Sequence, residues 1–271
     1  MSTVSCEHFE EVADQIVRLY PELAAREGGG LQARVAALVN RLDDQFLKMA
    51  IDAGAEEIAI AEYVEKSLLV QAGYFESFPG EGLMEGAIGT RPPAACYQCY
   101  PQLSGKVLGE SGLWTCVGTC GRNERETGVG RLRIFCMREI ILLGSAAWVR
   151  EQRARWLTTI ARFARSLGLQ VDLVPASDPF FGTGDAHGRK LVQQLKELKM
   201  EMRTRVGESI GLAIASFNLH ETFFARRFQL RLRDGTDAYT GCVAFGLERW
   251  AMAMISKLGL AHALTVATEE L

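Results

Sequence analysis

Apolar residues recur every three or four positions over the first fifty residues. Phe9, Val12, Ile16, Val17 and Tyr20 mark one helical face within residues 5–25, with acidic side chains in its first turns. Gly28, Gly29 and Gly30 end that pattern. Leu31, Val35, Leu38, Leu42 and Phe46 start a second helix, with Gly54 as its stop. Beyond it the rhythm changes. Ile58 to Val64 reads as a strand, and residues 79–95, rich in Gly and Pro, read as a loop. Leu113–Val117 and Leu132–Leu143 read as the arms of a long hairpin around a polar loop, Gly121–Gly130. A helix over Ala146–Leu167 should stop at Gly168. A strand at Leu169–Val174, a loop over 175–188 and a charged helix from about 189 should follow. Gly211–Phe217, Phe224–Arg233 and Ala238–Phe245 read as strands, the last two joined by the turn Arg233-Asp234-Gly235-Thr236. The chain is helical again from Leu247. No repeat, low-complexity tract or linker interrupts the pattern. The expectation is one α+β domain over residues 1–271, an antiparallel sheet with helices on one face.

Composition narrows the class. The 271 residues are 48% hydrophobic and 23% charged, which suits a globular chain with a large core and excludes a disordered one. The longest apolar run, Ile140 to Val149, is half of what a membrane span needs, roughly 20 residues. The start, MSTVSCEHFEEV, has no basic region and no apolar stretch of a secretory signal, so a cytoplasmic protein is expected. There are 30 basic and 33 acidic side chains, for a net charge of −3. That balance disfavours a large nucleic-acid footprint, which usually needs a basic surface.

Seven cysteines are present: Cys6, Cys96, Cys99, Cys116, Cys120, Cys136 and Cys242. An odd count in such a chain points to reduced, buried or metal-bound thiols. Cys96-x2-Cys99 and Cys116-x3-Cys120, with 16 residues between the pairs, approximate a four-thiolate structural zinc site. The segment GCVAFGLERW (241–250) competes for attention. Its glycines permit close backbone approach to a ligand, and an Arg at a strand–helix junction can clamp phosphate.

Arg122-Asn123-Glu124, then RLRIFCMREI (131–140), then Gly246-Leu247-Glu248-Arg249 resemble the second and third signature motifs of class II aminoacyl-tRNA synthetases. The pieces AACYQCYP (94–101), CMREI (136–140), DPFFG (178–182), SFNLH (216–220) and GCVAFGLERW are most similar to amino acid:[carrier protein] ligases. Those ligases are relatives of the zinc-dependent seryl-tRNA synthetases. The set runs in family order over roughly residues 75–260. The resemblance implies a class II synthetase-like antiparallel sheet flanked by helices, with no separate tRNA-binding domain. It implies a zinc ion on Cys96, Glu139 and Cys242, with an open position for the substrate's amino group. It implies ATP and magnesium. Arg122 would sit at the α-phosphate and substrate carboxylate, Arg249 at the γ-phosphate, and Arg131 at the terminal phosphates. Phe135 would stack on adenine with Glu124 near its exocyclic amine. Asn218, His220 and Asp178 would line the amino-acid pocket. The family's first motif carries a proline that Ala55–Val64 lacks, so a homodimer follows from the fold resemblance and not from these residues.

Three function classes follow. The first is ATP-dependent activation of a small amino acid, glycine or alanine by family analogy, and its transfer to the phosphopantetheine thiol of a carrier protein. The second is a free-standing seryl-like tRNA synthetase, disfavoured by the acidic balance. The third is a non-catalytic zinc-binding protein built on the four-cysteine set. For a carrier partner, the arginine-rich helix from Ala146 (Arg150, Arg153, Arg155, Arg162, Arg165) is the expected docking face.

Overall fold

The structure is a computed structural model that describes residues 9–23, 30–78, 82, 84–85, 89–106, 109–123, 128–176, 197–207 and 210–268. Helices α1 (Phe9–Leu19) and α2 (Leu31–Asp52) open the chain where the periodicity placed them. Gly54 follows α2 with φ +89°, and the helix ends there through Gly54 N–H to the Ile51 carbonyl and Ala55 N–H to the Ala50 carbonyl.

A seven-stranded sheet dominates. Its strands are β1 (Glu56–Glu57), β4 (Ser111–Gly121), β5 (Ile134–Gly144), β6 (Val171–Pro175), β7 (Lys199–Val206), β8 (Ile210–Glu221) and β9 (Tyr239–Gly246), in the order β1-β4-β5-β9-β8-β7-β6. Six strands run antiparallel, and β1 alone pairs parallel, with β4. A short pair, β2 (Met84–Glu85) with β3 (Gly89–Thr90), lies apart. The hairpin expected around residues 121–130 is β4–β5, paired without interruption from Ser111–Gly144 to Gly121–Ile134.

The helix α6 (Ala146–Ser166) is capped by the Ser145 hydroxyl, which accepts from Trp148 N–H at 3.3 Å. It packs with α1, α2, α8 (Leu247–Leu258) and α9 (Leu260–Val266) on one sheet face. There Phe46 stacks on Phe245 with centroids 4.1 Å apart and meets Trp250 edge-on at 5.1 Å. Short elements cover part of the other face: α3 (Lys66–Gln71), α4 (Tyr74–Ser77), a 3₁₀ turn Ala95–Gln98 running into α5 (Cys99–Leu103), and α7 (Phe223–Phe228). The sheet is therefore covered on both faces, with its long helices on one. No described helix is long and apolar enough to cross a membrane.

Three expectations fail locally. Ile58–Val64 is not a strand, because side-chain amides take its backbone groups. Gln98 bonds both Ala61 N–H (2.9 Å) and the Ala61 carbonyl (2.6 Å), and Gln102 donates to the Ala59 carbonyl at 3.0 Å. Phe224–Arg233 begins as the helix α7 instead of a strand. Phe224 and Phe228, four apart, are buried on one side, and Arg226 and Arg227 face away from the core. The turn at Arg233–Thr236 does form, with Asp234 accepting from Thr236 N–H at 2.9 Å. Residues 189–196 of the expected charged helix lie outside the described residues, and Lys199–Val206 is the strand β7.

Candidate functional site

Side chains alternate across a strand, so register decides which residues face the short-helix side. On β5 these are Phe135, Met137 and Glu139. On β9 they are Cys242, Ala244 and Gly246, and on β8 Ser216, Asn218 and His220. Small residues at Ala213, Ala215, Ser216, Ala244 and Gly246 leave a cleft over the middle of the sheet. It has two chambers, of about 110 and 80 Å³, that share Arg122, Met137, Lys199, Ser216 and Ala244.

The smaller chamber holds Cys96, Glu139, Cys242, Asn218 and His220. Cys96 comes from the 3₁₀ turn, Glu139 from β5 and Cys242 from β9. Their ligand atoms lie within 4.8 Å of one another, and all three residues are buried. Cys96 N–H donates to Glu139 Oε2 at 2.6 Å. Burial holds the Glu139 carboxyl above its ordinary range. Hydrogen bonding to Cys242 pushes the Cys96 thiol well up, reinforced by burial and nearby Glu139. At Cys242 the hydrogen bond with Cys96 lowers the thiol, but burial and Glu139 outweigh it and the net direction is up. Burial raises all three acids and the Glu139 carboxylate raises both thiols, a cost that a bound cation would relieve. Two sulfurs and one carboxylate oxygen suit zinc, and three protein ligands leave a position open. Among the described residues, Cys96, Cys99, Cys116 and Cys120 do not gather in this way. Cys99 hydrogen-bonds Cys116, and both are buried with Cys120 beneath the short helices.

The larger chamber is lined by Arg122, Phe135, Lys199, Glu201, Glu248 and Arg249, among others. Arg122 Nε donates to the Pro93 carbonyl at 3.0 Å, and its guanidinium lies 5.1 Å from the Phe135 ring centre. Arg249 is held by the carbonyls of Gly130 (2.8 Å) and Ala213 (3.1 Å). Glu248 ties the start of α8 to β5 by accepting Cys136 N–H at 2.7 Å. Arg131 is exposed and does not line either chamber. Glu124 and Asp178 lie outside the described residues. Gly241 serves packing and not ligand approach, since a Cβ there would sit 2.7 Å from the Asn218 carbonyl oxygen.

Lys199 and Glu201 escaped the sequence reading. Lys199 Nζ lies 3.2 Å from Glu201 Oε1, and Lys199 faces both chambers. Their signal was the alternation in KMEMRTRV (199–206), polar on one side and Met, Thr and Val on the other. Tyr100, whose hydroxyl is 3.1 Å from His220 Nδ1, also went unassigned within AACYQCYP. Burial drops the His220 imidazole to about 3, so the ring is neutral at physiological pH.

The sequence is 30% identical to amino acid–[acyl-carrier-protein] ligase 1 of Bradyrhizobium diazoefficiens, over 92% of this chain and 86% of that protein. The chain belongs to the amino acid–[acyl-carrier-protein] ligase family. A type-2 serine–tRNA ligase of Methanocaldococcus jannaschii is 27% identical over 62% of the chain, which spans only 34% of that longer protein. No family model matches. The family fold is that of class II synthetases. The seryl-tRNA synthetase of M. kandleri, solved with A. aeolicus tRNASec, aligns with TM-score 0.71 at 19% identity. It covers 83% of this chain and 52% of its own. Seryl-tRNA synthetase from Pyrococcus horikoshii, complexed with ATP, aligns with TM-score 0.66 at 15% identity, over 90% of this chain and 58% of its own.

Proposed function

We propose that this ligase-family member is a single catalytic domain that activates a small amino acid with ATP and passes it to the phosphopantetheine thiol of a carrier protein. The observation that carries the reading is the continuity of the cleft. A buried Cys96–Glu139–Cys242 cluster opens through Arg122 into a chamber bearing Phe135 and Arg249. An amino group at one end and a triphosphate at the other bring a carboxylate and an α-phosphate together at Arg122.

Cys96, Glu139 and Cys242 would hold the zinc. When bound, it supplies a Lewis acid that orients the substrate's amine. The substrate carboxylate oxygen attacks the α-phosphorus, the bond to the bridging oxygen breaks, and pyrophosphate leaves. Arg122 neutralises charge at the reacting phosphate and Arg249 at the departing end, with Arg131 beyond it. Phe135 offers its ring to adenine, and the family resemblance assigns Glu124 to the exocyclic amine. The carrier thiol then attacks the carbonyl carbon of the mixed anhydride, its proton passes to solvent, and AMP leaves. Magnesium accompanies the triphosphate. Asn218 borders the amino-acid side and His220 supports it, while Asp178 keeps only the pocket role that the family resemblance assigns. Glycine or alanine is the proposed substrate by family analogy.

The expected partner is an acidic carrier docking on α6, where Arg155, Arg162 and Arg165 are exposed. Arg150 and Arg153 are partly engaged already, with the Tyr239 hydroxyl at 3.1 Å and the Glu197 carbonyl at 2.6 Å. A homodimer in the cytoplasm completes the proposal. The test is ATP–pyrophosphate exchange across the amino acids, followed by offering the labelled adenylate both a phosphopantetheinylated carrier and tRNA. Exchange with glycine or alanine and label on the carrier support the reading. Label on tRNA alone assigns the protein to the synthetase branch, and no exchange with any amino acid removes the activity.

A further inference from the structure

Cys242 Sγ has two nitrogen neighbours beyond its fellow ligands. Asn218 Nδ2 lies 3.2 Å away and His220 Nε2 3.7 Å away. Asn218 stands opposite Cys242 in the β8–β9 register, and His220 is two residues on, on the same face. The other ring nitrogen, His220 Nδ1, lies 3.1 Å from Tyr100 Oη on α5. Phe224 packs edge-on against the imidazole with centroids 5.0 Å apart, and the histidine is 5% exposed. The ring is thus fixed by three elements.

A neutral imidazole carries one N–H and one lone pair. With a protonated thiol at Cys242, the sulfur can donate to Nε2 and Nδ1–H can donate to the tyrosine oxygen. A thiolate has no proton to give. Beside it, these contacts fit when Tyr100 O–H donates to Nδ1 and Nε2–H donates to sulfur. Asn218 N–H adds a second donor to the same sulfur. Resting on the zinc assignment above, we propose that His220, held in one tautomer by Tyr100, is a positioning residue for the ionised Cys242 ligand and does not bind the amino acid. This reassigns a residue that the motif SFNLH suggested as pocket lining. Partners of this kind orient a ligand and stabilise its charged form, and losing one typically weakens metal affinity by about 10–100-fold.

The experiment measures zinc affinity of the full chain by competition with a chromogenic chelator, together with the thiolate-to-cobalt charge-transfer band of the cobalt-loaded protein. The variants are Cys242→Ala, His220→Ala, His220→Gln and Tyr100→Phe. Wild type should bind one zinc and Cys242→Ala none. His220→Ala should lose about 10–100-fold in affinity with a shifted band. His220→Gln, which returns an N–H near the sulfur, should recover most of both, and Tyr100→Phe should fall between. If His220→Ala does not fold, the last two variants decide alone. Wild-type zinc affinity and an unshifted band in folded His220→Ala, or in both other variants, overturn the inference. A raised amino-acid KM in those proteins would then return His220 to the substrate. Zinc retained by Cys242→Ala would instead remove the metal assignment itself, a different failure.

Discussion

Arg138 and Glu139 are neighbours on β5, each 1% exposed, and they face opposite sides of the sheet. Arg138 points to the helix side. Asp43 on α2 accepts from its Nε and, at 2.9 Å, from Nη2. Glu57 on β1 and the Thr115 hydroxyl accept at 3.2 and 3.1 Å. One cation meets two carboxylates and a hydroxyl, all supplied by the chain. Glu139 points to the cleft and meets two thiols. Cys96 N–H and the thiols donate to its carboxyl, yet burial outweighs them and holds the group above its ordinary range. A buried charged group whose partners are all supplied by the chain ties elements together, here α2 and β1 to β5. A cluster of buried acids that burial keeps protonated leaves a demand that a cation would fill.

The comparison can be broken at either end. The largest effect should come from the open cluster. Cys96→Ala or Cys242→Ala should abolish stoichiometric zinc by metal analysis, and Glu139→Gln should weaken it, while Cys116→Ala keeps it. The closed cluster should answer in stability instead. Arg138→Met strands Asp43, and thermal unfolding should report a loss of about 3–5 kcal/mol, with zinc stoichiometry retained in the folded fraction. Next comes the larger chamber, whose charges are proposed to act on a transition state. Arg122→Ala and Arg249→Ala should each slow pyrophosphate exchange by about 10²–10³ while zinc content stays at wild type.

The smallest effect belongs to Glu201, a case between the two. Burial alone would raise its carboxyl, but Lys199 and Arg203 outweigh it and hold it below the ordinary 4.5. A depressed carboxylate adds stability above its ordinary value and loses it as pH falls through the lowered one. Glu201→Gln should therefore be less stable than wild type at neutral pH, and the two melting curves should converge below about pH 4.5.

Much of this was legible in the sequence, for reasons that differ by element. The helices α1, α2, α6 and α8 carry strong periodicity, and Gly54 and the β4–β5 hairpin announced themselves by turn chemistry. The gathering of Cys96, Glu139 and Cys242 was legible only through the order of family-like motifs. No spacing rule links positions 43 and 103 residues apart, and the four-cysteine spacing pointed elsewhere. Ile58–Val64 misled because its apolar residues look like a strand while Gln98 and Gln102, distant in sequence, take its backbone. α7 misled because FFARRF is aromatic enough for a strand, and only its burial by tertiary packing selects the helix. Lys199 and Glu201 were hidden by a charged run that reads as helix until pairing with β8 fixes the alternation.

The central claim is that the cleft face of β5 and β9 holds a cation site made of buried acids. Its most direct measurement is the number of protons released when zinc binds the full chain, read by titration calorimetry in buffers of different ionisation enthalpy. Cys96, Glu139 and Cys242 are all pushed toward their protonated forms. About two protons, one from each thiol, should leave per zinc at neutral pH, and Cys242→Ala should abolish both the binding and the release. Zinc binding with no proton release, unaffected by Cys242→Ala, would contradict the site.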